Sequence, residues 1–259
     1  PAAGAPARSR IYWQRVDGFS ERHTTDLPTR FAVDVKAADF DRDGRLDLVF
    51  LQGGDTPSLR IFYGDAQGFS AERIEEVAVE GRGFVEEMAG EVTVADLNND
   101  QRPDLVVTAG GANAQVFWNR FWNGRGNLRD WPRTALPANH SMSAAVADFN
   151  RDGLLDVAVS GFATPAAKGK DFETEALIYW GAASRTLVTA PPTPLPALGN
   201  TAVRAADLNG DGYIDLALAN SRNNQTYDVP SFIYWGGAGG FTPARRAETW
   251  TRTDFGPAP

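Results

Sequence analysis

The sequence predicts an all-β protein, a β-propeller of four-stranded antiparallel blades, with about four and a half blades in this chain. Three observations predict it. An acidic nine-residue segment occurs four times, as DFDRDGRLD from Asp39, DLNNDQRPD from Asp96, DFNRDGLLD from Asp148 and DLNGDGYID from Asp207, so the chain repeats every 50 to 60 residues. Periods of that length mark propellers and solenoids. Each copy runs into a short apolar stretch (LVFL, LVVT, VAVS, LALA), the pattern of a buried strand. Each unit then carries an aromatic pair, Phe62-Tyr63, Phe117-Trp118, Tyr179-Trp180 and Tyr234-Trp235, where a third strand should end.

The elements follow in order. Residues 1–10, PAAGAPARSR, read as a linker or trimmed N-terminus, and residues 11–259 as one domain. A half blade over residues 11–30 (Ile11-Tyr12-Trp13, Gly18-Phe19, Leu27-Pro28) matches only third and fourth strands. Four blades follow, at about 31–80, 81–137, 138–197 and 198–254. Each opens with a strand of small residues (AVDVKAADF, GEVTVADL, SAAVADF, TAVRAADL), suited to the crowded centre of a propeller. The fourth strand is expected after Gly68-Phe69 and Gly240-Phe241, and near Leu128 and Leu187 in the other two blades. The strand patterns exclude a solenoid of helix pairs, and a parallel β-helix would need shorter, denser repeats.

The acidic segments have the make-up of metal loops. Hard cations such as Ca²⁺ take six to eight oxygens, carboxylates supplying the charge. Positions 1, 3, 5 and 9 offer Asp39, Asp41, Asp43 and Asp47; Asp96, Asn98, Asp100 and Asp104; Asp148, Asn150, Asp152 and Asp156; and Asp207, Asn209, Asp211 and Asp215. Position 7, occupied by Arg45, Arg102, Leu154 and Tyr213, can add a backbone carbonyl. About four Ca²⁺ ions are therefore expected. An EF-hand is excluded, because position 12 is Phe50, Val107, Val159 or Leu218 and not the bidentate Glu that motif requires. Position 6 is Gly in three loops and Gln101 in the second, where a sharp turn asks for positive φ, so the second site is expected to be the weakest.

These DxNxDGxxDL loops, followed by IYWG and GF, resemble the FG-GAP, or VCBS, repeats of integrin-type β-propellers and of many bacterial secreted proteins. The resemblance covers nearly all of residues 11–254. It implies a Ca²⁺ loop between the first and second strands of each blade and, most often, a seven-bladed ring. Four loops and a half unit leave three arrangements open: a fragment of a longer chain, a small ring with an incomplete blade, or closure by a second chain or by missing blades. A secreted, periplasmic or cell-surface location is expected.

Charge and composition narrow the function. The formal net charge is −8, which argues against nucleic acid as a partner, and 13 of the 33 acidic residues lie in the four loops. No apolar run approaches the roughly 20 residues needed to span a membrane. There is no cysteine, and His23 and His140 are the only histidines. No GxSxG, phosphate loop or dinucleotide fingerprint occurs, and the pair Glu86-Glu87 reads as solvated loop charge, so no enzymatic activity is expected.

Strand parity points to a binding face. The acidic loops share one end of the blades, and the loops joining second to third strands share the other end with the links between blades. That second end varies widely, from Gly110-Gly111 to the long segments Gly161–Glu175 and Asn220–Ser231. Constant scaffold opposite divergent loops is how binding surfaces are built. Arg82, Phe84, Glu86, His140, Lys168, Lys170, Arg222, Asn224 and Tyr227 are the candidate ligand-binding residues. The expected role is protein interaction or adhesion. The alternative is a carbohydrate-binding propeller, or the non-catalytic part of a polysaccharide-degrading enzyme, with Trp122, Trp131 and Tyr227 stacking on sugars.

Overall fold

The structure is a computed structural model that describes residues 8–81, 90–111, 113–121, 126–166, 169–184, 186–187 and 191–250. It is all-β, a set of propeller-type blades. Strands β1 (Arg8–Tyr12) and β2 (Thr24–Pro28) form a two-stranded antiparallel sheet, the half blade. The first full blade is β3 (Ala32–Ala38), β4 (Asp47–Gln52), β5 (Ser58–Phe62) and β6 (Ile74–Ala78), each paired with the next. The second is β7 (Glu91–Ala95), β8 (Asp104–Thr108), β9 (Asn113–Phe117) and β10 (Arg133–Pro137), with a 3₁₀ turn at Leu128–Asp130 before its last strand.

In the third blade, β11 (Ala144–Ala147) and β12 (Asp156–Val159) precede a small hairpin, β13 (Thr164–Ala166) with β14 (Gly169–Asp171). Next come β15 (Glu173–Tyr179), a second hairpin of β16 (Gly181–Ala182) and β17 (Thr186–Leu187), and the outer strand β18 (Thr193–Leu198). The fourth blade is β19 (Asn200–Ala206), β20 (Asp215–Asn220), β21 (Ser231–Tyr234) and β22 (Arg246–Thr249). The acidic loop lies between first and second strands every time.

The second and third strands are the most buried, because they have neighbours on both edges as well as on their faces. Val49, Leu51, Leu59 and Ile61 of the first blade are fully buried, as are Leu105, Val107 and Phe117 of the second. The chain divides into two compact units, Pro1–Leu136 and Pro137–Pro259. The larger core of the first unit joins these residues to Phe40, Val92, Phe121 and Trp131. The core of the second unit gathers Phe149, Ile178, Leu195, Leu216, Leu218, Tyr234 and Phe241.

Two expectations are corrected. The fourth strands follow the Gly-Phe pairs as expected in the first and fourth blades, at Ile74 and Arg246, but in the second and third they begin beyond Leu128 and Leu187, at Arg133 and Thr193. The aromatic of such a pair is spent on packing: Phe241 is buried with its ring 5.4 Å from that of Phe149, and Phe69 stacks on Trp13 at 6.3 Å. Leu128 sits in the 3₁₀ turn and Leu187 in the short hairpin. The first strand of the first blade is not crowded either, since its Val33 and Val35 are exposed.

Candidate metal centre and ligand face

Each acidic loop is wound around its first Asp. Asp39 accepts the backbone amides of Asp43 and Gly44 at 3.1 and 2.9 Å, Asp41 accepts that of Asp43 at 3.2 Å, and Asp43 accepts that of Arg45 at 2.9 Å. The second loop repeats the set on Asp96, Asn98 and Asp100, and the third on Asp148, Asn150 and Asp152. In the fourth, Asp207 takes the amides of Gly210 and Gly212, Asn209 that of Asp211, and Asp211 that of Tyr213. Side-chain oxygens at positions 1, 3 and 5 are thereby oriented by the backbone, and each carboxylate keeps further lone pairs.

Two left-handed residues make the winding possible. At position 6, φ is 85° for Gly44, 64° for Gln101, 84° for Gly153 and 85° for Gly212. Position 4 is left-handed too, with φ of 60° at Arg42, 56° at Asn99, 62° at Arg151 and 77° at Gly210. The sequence reading missed position 4, although Gly210 in the fourth copy was a usable signal. Arg151 gains a contact there, its guanidinium lying 4.7 Å from the centre of the Tyr213 ring.

The donor sets differ between loops. Asp39, Asp41 and Asp43 each present a carboxylate oxygen, all three within 4.8 Å of one another, an arrangement that fits a divalent cation demanding oxygen ligands. Arg45 and Arg73 stand 3.7 Å from Asp43 and Asp41 respectively. In the third and fourth loops the position-3 Asn donates its amide to the position-5 carboxylate at 3.0 Å, in Asn150–Asp152 and Asn209–Asp211. In the second loop the guanidinium of Arg102 pairs with Asp100, placing a fixed cation beside a candidate ligand.

The ninth residue does something the sequence did not announce. Asp47 is fully buried; one oxygen accepts the amide of Phe40 at 2.8 Å and the other that of Gly64 at 2.9 Å. Asp104 does the same with Leu97 and Asn119, Asp156 with Phe149 and Gly181, and Asp215 with Leu208 and Gly236. Each carboxylate therefore ties the acidic loop to the residue that follows the aromatic pair. That residue is Gly in three blades because the chain passes so close: a Cβ on Gly64, Gly181 or Gly236 would lie 2.3, 2.7 or 2.2 Å from the carbonyl oxygen of Leu46, Leu155 or Ile214. In the second blade Asn119 stands there and its amide donates to the equivalent carbonyl, that of Pro103, at 3.1 Å. Burial, outweighing the amide hydrogen bonds, pushes Asp47 and Asp156 up to about 6 and Asp104 up to about 7. Burial, with Asp43 nearby, also raises Asp41.

In the second unit the structure brings Lys170, Arg222, Asn224 and Tyr227 together. The Arg222 guanidinium lies 4.1 Å from the ring centre of Phe172 and 4.3 Å from that of Tyr227, and donates to the Tyr227 hydroxyl at 2.6 Å. Phe172 meets Phe162 edge to face at 5.4 Å, and the Lys170 ammonium is 6.0 Å from the Phe162 ring. Asn224 pins the two long loops together, accepting the Phe172 amide at 2.9 Å and donating to Asp171 at 2.9 Å. His140 is half-buried at φ 51°, next to Asn139, whose carbonyl accepts the Phe162 amide at 2.8 Å. Arg82, Phe84, Glu86 and Lys168 lie outside the described residues, as does Trp122. Trp131 is corrected as a sugar-stacking candidate: it is 2% exposed, its ring 6.3 Å from Phe40 and 5.7 Å from Phe121. Phe162, Asp171 and Phe172 were missed, though two aromatics in a polar loop were the available signal.

Fold and loops together define an all-β repeat protein in which an acidic nine-residue turn joins the first and second strands of every full blade. The model of the FG-GAP-like repeat family matches residues 2–50 and 96–159. No curated protein sequence matches the chain. Among solved structures it is similar to BBS1N in complex with ARL6DN, soaked with mercury (14% identity, TM-score 0.45, covering 83% of this chain and 53% of that one). The same complex soaked with lead gives 13% identity, a TM-score of 0.46 and coverage of 83% and 57%. A Photorhabdus luminescens Tc holotoxin pore gives 15% identity, a TM-score of 0.37 and coverage of 95% and 11%. The chain thus spans little more than half the length of the first two. Among the described residues, no helix is long and apolar enough to cross a membrane.

Proposed function

We propose that this chain is a Ca²⁺-stabilised binding module that recognises a protein partner, as in adhesion, through the loops opposite its acidic turns, and that it works outside the cytosol, as a secreted, periplasmic or cell-surface protein. The observation that carries the reading is Arg222 held between Phe172 and Tyr227 on loops locked by Asn224. Aromatic and arginine side chains dominate interface anchors, and anchors already fixed before binding lose little entropy on binding. Ca²⁺ acts at a distance in this reading: positions 1, 3 and 5, with the position-7 carbonyl and the position-9 carboxylate, hold the first and second strands of each blade so that the opposite loops stay in place. A glycan ligand is the second reading. Tyr227, 72% exposed beside an Asn-rich loop, favours it, because an open aromatic face stacks on a sugar ring.

Binding of the wild-type chain to arrays of extracellular proteins and of glycans, repeated with Arg222→Ala and Tyr227→Ala, tests both readings. Each substitution should weaken capture by more than about 1 kcal/mol while the melting temperature holds. Normal binding by both variants, with loss on substituting Arg42 or Arg151, would reverse the assignment of faces.

A further inference from the structure

Positions 3 and 4 of the last acidic loop are Asn209-Gly210, the one Asn-Gly pair among the described residues. Position 4 is left-handed in all four loops, and Arg42, Asn99 and Arg151 hold that conformation against their own Cβ. Gly210 holds it at φ 77° without strain. The same lack of a side chain leaves its backbone nitrogen open. A Cβ built on Gly210 would meet no atom within 4 Å, and Asn209 and Gly210 are both exposed. Asparagine is a thermolabile residue, most of all before glycine, where nothing hinders the next nitrogen from reaching its side-chain carbon.

The wound loop opposes that approach. The Gly210 amide donates to Asp207 at 2.7 Å, the Asn209 side-chain oxygen accepts the Asp211 amide at 2.8 Å, and the Asn209 NH₂ group donates to the Asp211 carboxylate at 3.0 Å. The attacking nitrogen and the amide it would attack are therefore both held by bonds that exist only while the loop is wound. Asn150 makes the same two bonds to Asp152, each at 3.0 Å, but Arg151 follows it. The third and fourth loops thus share a geometry and differ in the neighbour that decides reactivity. Exposed turns open locally at far lower cost than the whole fold, so the fourth loop reaches its reactive form without global unfolding.

We propose that Asn209 is a deamidation site controlled by the winding of the fourth loop, and that Ca²⁺ in this loop keeps the site closed. When the loop opens, the Gly210 nitrogen gives its proton to water and attacks the side-chain carbon of Asn209. The bond from that carbon to its NH₂ group breaks and ammonia leaves, giving a five-membered cyclic imide. Water then opens the imide at one of its two carbonyls, and no other reagent is consumed. Cleavage on the side-chain side yields aspartate, and cleavage on the main-chain side yields isoaspartate. The two products affect the loop in opposite ways. Aspartate gives it carboxylates at positions 1, 3, 5 and 9, the set that Asp39, Asp41, Asp43 and Asp47 make in the first loop. Isoaspartate lengthens the main chain by a methylene at position 3, so the oxygens at positions 1 and 5 lose the spacing a cation needs. The Ca²⁺ dependence rests on the reading of these loops as metal sites, whereas the reaction itself does not.

The test incubates the full chain in mildly alkaline buffer with Ca²⁺, with chelator, and with chelator plus urea, and follows the tryptic peptide Ala205–Arg222 by mass spectrometry. Calorimetric titration of the same sample records whether Ca²⁺ binds. Asn209 should deamidate fastest in urea, about tenfold or more slowly in chelator alone, and more slowly again in Ca²⁺, with Asn150 intact throughout. Gly210→Ala should suppress the reaction in urea, where folding plays no part. Asp207→Ala should speed it severalfold in chelator, because the amides of Gly210 and Gly212 both lose their acceptor. An Asn209 that stays intact in urea overturns the site. A chain in chelator that reacts as fast as the unfolded one, or no faster with Asp207→Ala, overturns control by winding. Ca²⁺ that binds without slowing the reaction overturns control by metal alone. Absence of Ca²⁺ binding overturns that control together with the metal reading of the loop, while the chelator and urea samples still decide the reaction.

Discussion

Asp156 and Gly181, 25 residues apart in the chain, are joined by a 2.7 Å hydrogen bond from the Gly181 amide to a fully buried carboxylate. The other oxygen of Asp156 holds Phe149, so one side chain fixes both the end of the acidic loop and the turn after the third strand. Asp156→Asn keeps the shape but turns an NH₂ group toward a backbone N–H. In chelator, to exclude metal effects, the variant should lose about 1–3 kcal/mol in urea unfolding, the cost of leaving a buried donor unsatisfied. A loss under about 0.5 kcal/mol would show that the clamp carries no stability.

Backbone strain makes a separate expectation. Gln101 and Arg42 both sit left-handed, a conformation that costs a non-Gly residue about 1–2 kcal/mol. Glycine relieves that but adds roughly 0.5–1 kcal/mol of unfolded-state entropy. Arg42→Gly and Gln101→Gly should therefore each raise the melting temperature slightly, and Gln101→Gly should also tighten Ca²⁺ binding at the second loop. Arg151→Gly should gain less, since it gives up the Tyr213 ring. Destabilisation by Arg42→Gly would refute the strain argument.

Removal of metal is the direct test of the loops. With Ca²⁺ at about 100 times its dissociation constant, each occupied site adds roughly 2.7 kcal/mol, so chelation should lower the melting temperature. The first loop, with three converging carboxylates, should bind most tightly, and the second, with Arg102 on Asp100, least. An unchanged melting temperature in chelator, or a second site as tight as the first in calorimetric titration, would contradict this.

Within one loop the ligands should not be equal. Asp207 brings charge and winds the loop through two amides, whereas Asn209 brings a neutral oxygen and one amide. Asp207→Ala should cut Ca²⁺ affinity at that loop well beyond Asn209→Ala. Equal losses would mean that these roles are misassigned.

Asn224 offers a test of the loop face that needs no ligand. Asn224→Ala removes both bonds to the Asp171–Phe172 segment, so the amide of Phe172 should exchange faster while the amides of β12 and β20 hold their protection. Unaltered exchange at Phe172 would show that the two loops do not depend on this residue.

The sequence by itself determined the repeat, the order of strands and the site of every acidic turn. Local rules suffice for these: apolar runs after each loop specify strands, and Gly at position 6 specifies a left-handed turn. It also placed Lys170, Arg222, Asn224 and Tyr227 at one end of the blades, because strand parity is arithmetic. Only the tertiary structure decided that the ninth Asp reaches across to the residue after the aromatic pair, that Trp131 is interior, and that Phe172 and Tyr227 enclose Arg222. Those facts depend on which distant backbone amide or ring comes within a few ångströms. Composition and spacing carry no record of that, because the contact is set by how strands far apart in sequence pack, and not by the residues on either side of it.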